Sequence, residues 1–410
     1  MAIALCCMVE AEPNNLPVGD DRSGYDHTDY QSASTQLGPV SGVRLALNEL
    51  VLAPPLGLPA LEGAPDKAEI DLGRRLFFDR RLSVNGTLSC AMCHIPEQGF
   101  TQNELATPIG IEGQLVRRNA PTLYNVAYVQ YLFHDGRETN LSEQIWEPLL
   151  AVNEMGNPNP EAVLARLAQL EDYDARFDAL YPEGLTQNNF GRALAAYQRA
   201  LLSANSRFDR WYFGREPTLL SEQEARGFVL FKTQGCSACH VIGTEDALLT
   251  NGQFYNTGIG YRAENKHREP IHVQLAPGVF VKPTIKIHVP LIDDQGRFEV
   301  SGADVDRHRY RTPSLRNVAS TGPYMHDGSI ATLAEVIDYY DGGGGADPAQ
   351  DPRLKSLGLR AQDKTALVSY LHTLTGSNLN ALAADARSVA IGDNKCCLVR
   401  PSESLDRAFE

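Results

Sequence analysis

LSCAMCHIPEQGFTQ, residues 88–102, sets Cys90, Cys93 and His94 in the order Cys-x-x-Cys-His, and GCSACHVI, residues 235–242, repeats it at Cys236, Cys239 and His240. Two thiols at this spacing can bind zinc, cycle as a dithiol, or add to the two vinyl groups of a haem. The histidine directly after the second cysteine separates these uses. A thioredoxin-like dithiol needs no imidazole there. One zinc ion would have to be shared by both pairs, leaving each with a spare histidine. With both thioethers made, the imidazole is delivered beneath the porphyrin as an iron ligand. The sequence therefore reads as a carrier of two covalently bound c-type haems, with His94 and His240 on the two irons.

An internal repeat locates the rest of each site. NAPTLYNVA begins at Asn119 and RTPSLRNVA at Arg311, and HDG triplets begin at His134 and His326; both pairs are 192 residues apart, and Leu141 and Leu333 keep that offset. Leu194, Tyr197 and Leu201 match Leu367, Tyr370 and Leu374 at an offset of 173. Their i, i+3, i+7 spacing predicts an amphipathic helix closing each half. Each half also carries a helical segment, GRRLFFDRRLS or ARGFVLFKTQG, before its haem motif, then a long stretch rich in Pro and Gly. Strand-like alternation is sparse. PTIKIHVPLI, residues 283–292, is the main candidate and suggests one small β-hairpin. The fold expected is mainly α: two cytochrome c-like haem domains related by duplication, with long irregular loops.

Composition agrees. The chain has 410 residues, 43% of them hydrophobic, with no apolar run long enough to span a bilayer. A net charge of -14 argues against nucleic acid and anionic lipid as partners and leaves proteins and small molecules. MAIALCCMVEAEP at the start reads as the remnant of a secretory signal, although it lacks a positive n-region. Four of the eight cysteines lie in the haem motifs; the doublets Cys6-Cys7 and Cys396-Cys397 lie near the ends, and adjacent cysteines rarely bridge one another without strain. The expected division is an N-terminal remnant and extended arm (1–64), a first haem domain (65–215), a second (216–378) and a C-terminal tail (379–410).

Both haem motifs, RRNAPTLYNVAY, FHDGRETNLSEQ, NEM and RTPSLRNVASTGPYMHDG, in this order, resemble the bacterial dihaem cytochrome c peroxidase family over residues 65–378. In the peroxidases the second haem takes a Met fourteen residues after the HDG histidine; here that position is Tyr340. The same exchange marks the MauG-like branch, which this chain resembles more than it resembles a peroxidase. The five methionines are Met1, Met8, Met92, Met155 and Met325, so none after Met325 offers a shifted thioether. The alternative keeps Tyr340 as a core aromatic with Met325 as ligand. A phenolate would stabilise the oxidised iron and lower its potential.

The residue 192 positions before Tyr340 is Pro148, which has no donor for iron, and PIGIEGQLVRRNAP upstream contains no His. The first haem is therefore expected to be open to peroxide. By resemblance, Glu154 is the distal acid-base residue and Gln144 its hydrogen-bonding neighbour. Where the family passes charge between the haems through a Trp, this chain has His134. His134 or Trp146 is expected to couple the haems, Trp211 being the other tryptophan, while His326 is read as structural. The resemblance also implies one Ca²⁺ held by Asn119 and the carbonyls of Thr321 and Pro323. DGGGG, residues 341–345, reads as a turn after the ligand helix.

The function implied is a periplasmic oxidase that uses H2O2 to reach a high-valent two-haem state. It would then oxidise a residue such as Trp on a partner protein by long-range electron transfer. The alternative is a peroxidase reducing H2O2 with electrons from a small cytochrome or cupredoxin; a purely electron-carrying dihaem cytochrome is a third reading.

Overall fold

Two helix pairs, built on one pattern, organise the chain. The computed structural model describes residues 45–170, 173–266, 273–276, 279–281 and 294–388, all within one compact unit that begins at Val43. Helix α1 (Lys67–Phe77) starts where the Asp66 side chain accepts the Ala68 N–H, and it buries Ile70, Leu72, Leu76 and Phe77. It crosses α2 (Gln187–Arg199) at Gly73, where a Cβ would lie 1.8 Å from the Ala193 carbonyl oxygen. Helix α3 (Glu222–Thr233) opens with a Ser221/Glu224 capping box. It crosses α5 (Ala361–His372) at Gly227, where a Cβ would lie 2.0 Å from the Ala366 carbonyl oxygen. Glycine costs a helix interior about 1 kcal/mol relative to alanine. Here that loss is accepted because any side chain would hold the two backbones apart.

The two halves also repeat in their loops. Asn125 and Asn317 both adopt left-handed backbone, φ 62° and 61°, each before a short 3-10 turn. The Asn125 N–H donates to the Leu201 carbonyl at 2.9 Å and the Asn317 N–H to that of Leu374 at 3.1 Å. Their side-chain oxygens accept from Ser203 N and Gly376 N, each at 2.8 Å. This explains a departure from the periodicity. Leu201 and Leu374 continue the apolar pattern, yet the helices stop at Arg199 and His372, and the two leucine carbonyls serve the asparagines instead.

One hydrophobic cluster joins Ile70, Leu76, Phe77, Trp146, Phe190 and Tyr197; a second joins Phe208, Phe228, Phe231, Leu367 and Tyr370. The ends of the described chain belong to this architecture. Leu47 and Val51, from the short helix Leu47–Leu52, pack into the first cluster together with Leu382 and Ala386 from α6 (Leu379–Ala386). Arg74 and Asp385, both 1% exposed, form an ion pair at 3.0 Å. The segment expected to be a plain tail therefore supplies a buried charge to the first half. Helix α4 (Leu333–Asp341), with its Thr332/Glu335 capping box, completes the second half.

Strands are few among the described residues, as expected. Phe254–Tyr255 pairs antiparallel with Tyr310–Arg311, and Val273–Ala276 pairs with Val279–Val281 as a small hairpin. The hairpin lies just before PTIKIHVPLI, which is outside the described residues, as are both Cys-Cys doublets and the start of the chain. Among the described residues no helix is long and apolar enough to cross a membrane.

Candidate haem sites

Both Cys-x-x-Cys-His segments fold into a 3-10 turn, Cys90–Met92 and Cys236–Ala238, and the N–H groups of His94 and His240 close back on the carbonyls of Cys90 and Cys236. The His94 Nδ1 lies 3.1 Å from the Phe100 carbonyl and the His240 Nδ1 2.9 Å from that of Leu249. A carbonyl only accepts, so each Nδ1 carries the hydrogen and each Nε2 keeps its lone pair for a metal. Phe100 and Leu249, both 0% exposed, hold left-handed backbone at φ 53° and 54° to present these carbonyls, an uncommon conformation for such residues. Burial keeps both imidazoles below their ordinary pKa, hence neutral.

All four motif thiols are unbridged. Burial pushes Cys90 and Cys93 up to about 12 and Cys236 to about 11, which does not suit a reactive dithiol. Among the described residues no three His, Cys, Asp or Glu side chains gather to hold a metal ion. Two separate imidazoles, each fixed at Nδ1 by a carbonyl and each beside a thiol pair, fit two haems.

The surroundings of the two thiol pairs differ. The Met155 N–H donates to the Pro148 carbonyl at 3.1 Å, folding residues 151–155 back over the short helix Trp146–Leu150 and setting Glu154 beside it. Gly110 packs against the same loop, where a Cβ would lie 1.9 Å from the Asn153 carbonyl oxygen. Glu154 acts electrostatically on Cys90 and Cys93. Burial holds its carboxyl above the usual range; Arg137 opposes this and Glu147 adds to it. Gln144 ends the helical turn Leu141–Gln144 that leads into this loop. Tyr340 lies in the last turn of α4, its hydroxyl within electrostatic reach of Cys236 and Cys239, and burial holds its phenol well above the ordinary value. The neighbouring Tyr339 donates to the Thr257 carbonyl at 2.6 Å. Met155 is buried in the first core and Met92 is exposed. The glycine run after α4 is a pinned turn, held by Gln350 at Gly343 and Gly345.

Between the halves the repeat crosses over on itself. The Asn119 N–H donates to the His326 carbonyl and the Arg311 N–H to the His134 carbonyl, both at 2.7 Å. These are the same pairing with the repeats exchanged, as in a two-fold junction. His134 Nε2 lies 3.0 Å from the Asn119 carbonyl. Burial and the neighbouring cations lower His134 to about 4, so it is neutral. His326 stacks on Tyr310 with ring centroids 3.5 Å apart. Trp146, by contrast, packs inside the first half against Phe190.

The sequence reading missed the charges at this junction. Arg118, 8% exposed, donates to both carboxylate oxygens of Asp294 and to Asp135, and its guanidinium lies 5.7 Å from the Tyr310 ring centroid. Arg118 and Tyr310 are themselves 192 residues apart, so the repeat offset contained the signal. Asn119 donates its side-chain amide to the Ala106 carbonyl at 2.9 Å, leaving its Oδ1 as the atom to offer a cation. Gly99, near the first haem motif, packs against the Ser320 carbonyl and Thr321, within the segment that ends at Pro323.

Residues 67–217 match the family model described as di-haem cytochrome c peroxidase. The chain is 32% identical to the cytochrome-c peroxidase IdrP1 of Denitromonas iodatirespirans over 362 residues, 83% of this chain and 94% of that protein. It is 31% identical to the methylamine utilization protein MauG of Methylorubrum extorquens over 354 residues, 85% of this chain and 90% of that one. A crystal structure of a MauG-like protein associated with microbial copper homeostasis superposes with a TM-score of 0.64 at 31% identity, covering 82% of this chain and 96% of that one. With a duplicated Cys-x-x-Cys-His geometry and relatives of this extent, the chain belongs to the di-haem cytochrome c peroxidase and MauG family, haem oxidoreductases that act on peroxide.

Proposed function

We propose that this chain is a MauG-like oxidase that draws electrons, one at a time, from a residue of a partner protein, with Trp the favoured class. The observation that supports this most is Tyr340: it is buried within electrostatic reach of Cys236 and Cys239, at the position where a peroxidase would use a thioether. In this reading Cys90, Cys93 and His94 hold one haem, and Cys236, Cys239, His240 and Tyr340 the other. Bound haem supplies peroxide activation and the storage of oxidising equivalents. Glu154 moves a proton between the two peroxide oxygens, Gln144 orients that carboxylate, and Pro148 leaves the facing position without a ligand. Asn119, Thr321 and Pro323 hold a Ca²⁺ between the halves. The work is done in the periplasm, where the leader-like start would send the chain.

The competing role is peroxide removal with a small cytochrome or cupredoxin as donor, since relatives named as peroxidases match as well as MauG does. Stoichiometric H2O2 added to the resting, unreduced holo-protein separates the two. The oxidase is expected to retain two oxidising equivalents, titratable with ferrocyanide, without prior reduction. A chain that reacts only after reduction, and then turns over with reduced cytochrome, is a peroxidase.

His134 is proposed to couple the haems through the reciprocal junction. His134→Phe is expected to leave each haem spectrum nearly intact while peroxide oxidises only the first site. His134→Trp should preserve the coupling, because indole is more easily oxidised than imidazole. Mössbauer spectra of the peroxide-treated variants read the outcome directly. A normal two-site oxidised state in His134→Phe would mean that charge travels another way.

A further inference from the structure

The duplicated halves share a Phe–Tyr pair beside the haem motif but differ in what lies behind it. In the second half Phe231 sits 6.5 Å from His240 and 5.2 Å from Tyr370, ring centroid to ring centroid. Tyr370 continues to Phe228 at 5.6 Å, and Phe228 to Trp211 at 5.2 Å. Trp211 is half-buried and lines a shallow surface pocket with Tyr212, Arg215 and Pro217. An unbroken run of aromatic rings therefore leads from an iron-ligand histidine to the surface.

The first half begins the same way, with Phe77 and Tyr197 at 5.3 Å, but the run does not reach the surface by that path. The position equivalent to Phe228, counted by the 154-residue offset that relates Gly227 to Gly73, is Arg74. Arg74 is buried with Asp385, and its guanidinium lies 5.8 Å from the Tyr197 ring centroid. A fixed cation there disfavours a positive charge arriving on the ring. Duplication thus left an aromatic path in one half and a buried ion pair in the other.

We propose that Trp211 is the relay residue through which the second haem site exchanges single electrons with a protein partner. The proposal rests on the peroxide-driven function argued above. Trp211 gives one electron to the oxidised second site, and its indole radical then takes one electron from an oxidisable side chain of the partner, whose proton goes to solvent. Two such passages balance one H2O2 reduced with two protons to two waters. Phenylalanine is too hard to oxidise to hold the charge, and among the described residues the buried Tyr370 hydroxyl has no hydrogen-bond partner to take its proton. The rings between Trp211 and His240 therefore serve as a medium, and Trp211 is the stopping point.

The test uses the full-length holo-protein with H2O2 and no partner. Oxidising equivalents with nowhere else to go are expected to mark Trp211, seen as oxygen addition on its peptide by mass spectrometry, while the core residue Trp146 stays unmodified. Trp211→Phe keeps an aromatic ring in place. It should form the peroxide-oxidised state at the wild-type rate but lose it several-fold more slowly, and Trp211→Tyr should restore part of the decay. Oxidation elsewhere with Trp211 intact, or wild-type decay in Trp211→Phe, overturns the relay while leaving the peroxide chemistry standing. A wild-type chain that forms no peroxide-oxidised state overturns the functional reading and the relay together.

Discussion

Glu154→Gln is expected to slow peroxide cleavage by roughly 10²–10⁴, the usual contribution of a positioned acid-base group, while leaving both haem spectra and peroxide access unchanged. Glutamine matches the shape of glutamate and can still donate a hydrogen bond, but it cannot take a proton from one oxygen and return it to the other. In the proposed role, the surroundings favour both steps at Glu154. Burial raises its pKa, with Glu147 adding to the effect, and Arg137 opposes it. Arg137 is itself engaged by Glu147 at 2.6 Å and Asp135 at 3.0 Å, which tempers its pull on Glu154. The carboxylate is the form that accepts the proton, so a raised pKa moves the acid limb of the rate profile upward. The rate should fall as pH drops through a value above the ordinary glutamate range, and this limb should vanish in Glu154→Gln. Stopped-flow spectra across pH measure both effects; cleavage at the wild-type rate in the variant would remove Glu154 from the mechanism.

Tyr340→Phe is expected to abolish partner oxidation while both haems stay attached through their cysteines and histidines. In the protein alone the Tyr340 phenol is neutral, held so by burial. Ionising it there takes a cation in direct contact, and a ferric iron is such a cation. An anionic oxygen on that iron stabilises its oxidised states; removing it should raise the potential of the second haem and erase its low-spin signature. Tyr340→Met should push the potential further in that direction and turn the site toward peroxidase behaviour. Absorption and EPR spectra, with a redox titration, decide the matter. An unchanged low-spin spectrum in Tyr340→Phe would show that another group is the ligand.

Motifs fixed in short covalent spacing were legible without coordinates. The thiol pair and its histidine lie within five residues, so local chain geometry alone delivers them to one face. The 192-residue offset likewise carried real structure: it relates the left-handed Asn125 to Asn317 and the peptide exchange of Asn119 with His326 to that of Arg311 with His134. Applied to every position, it would also have paired Arg118 with Tyr310. The residues that broke the pattern, not those that kept it, were harder to interpret. His134 in place of Trp gave no indication that it would be neutral and tied to the Asn119 carbonyl.

What the sequence by itself determined is the paired Cys-x-x-Cys-His motif, the duplication and the mainly helical class, because each is written in residues that are close in the chain or repeated along it. What only the tertiary structure decided is where the two halves differ and what lies between them. Arg74 finds its partner Asp385 far along the chain, Arg118 reaches Asp294 across the halves, and Trp211 meets Phe228 only because two helices pack side by side. Burial shifts the titration of Glu154, His134 and Tyr340, and burial is a property of the packed chain that no local spacing encodes.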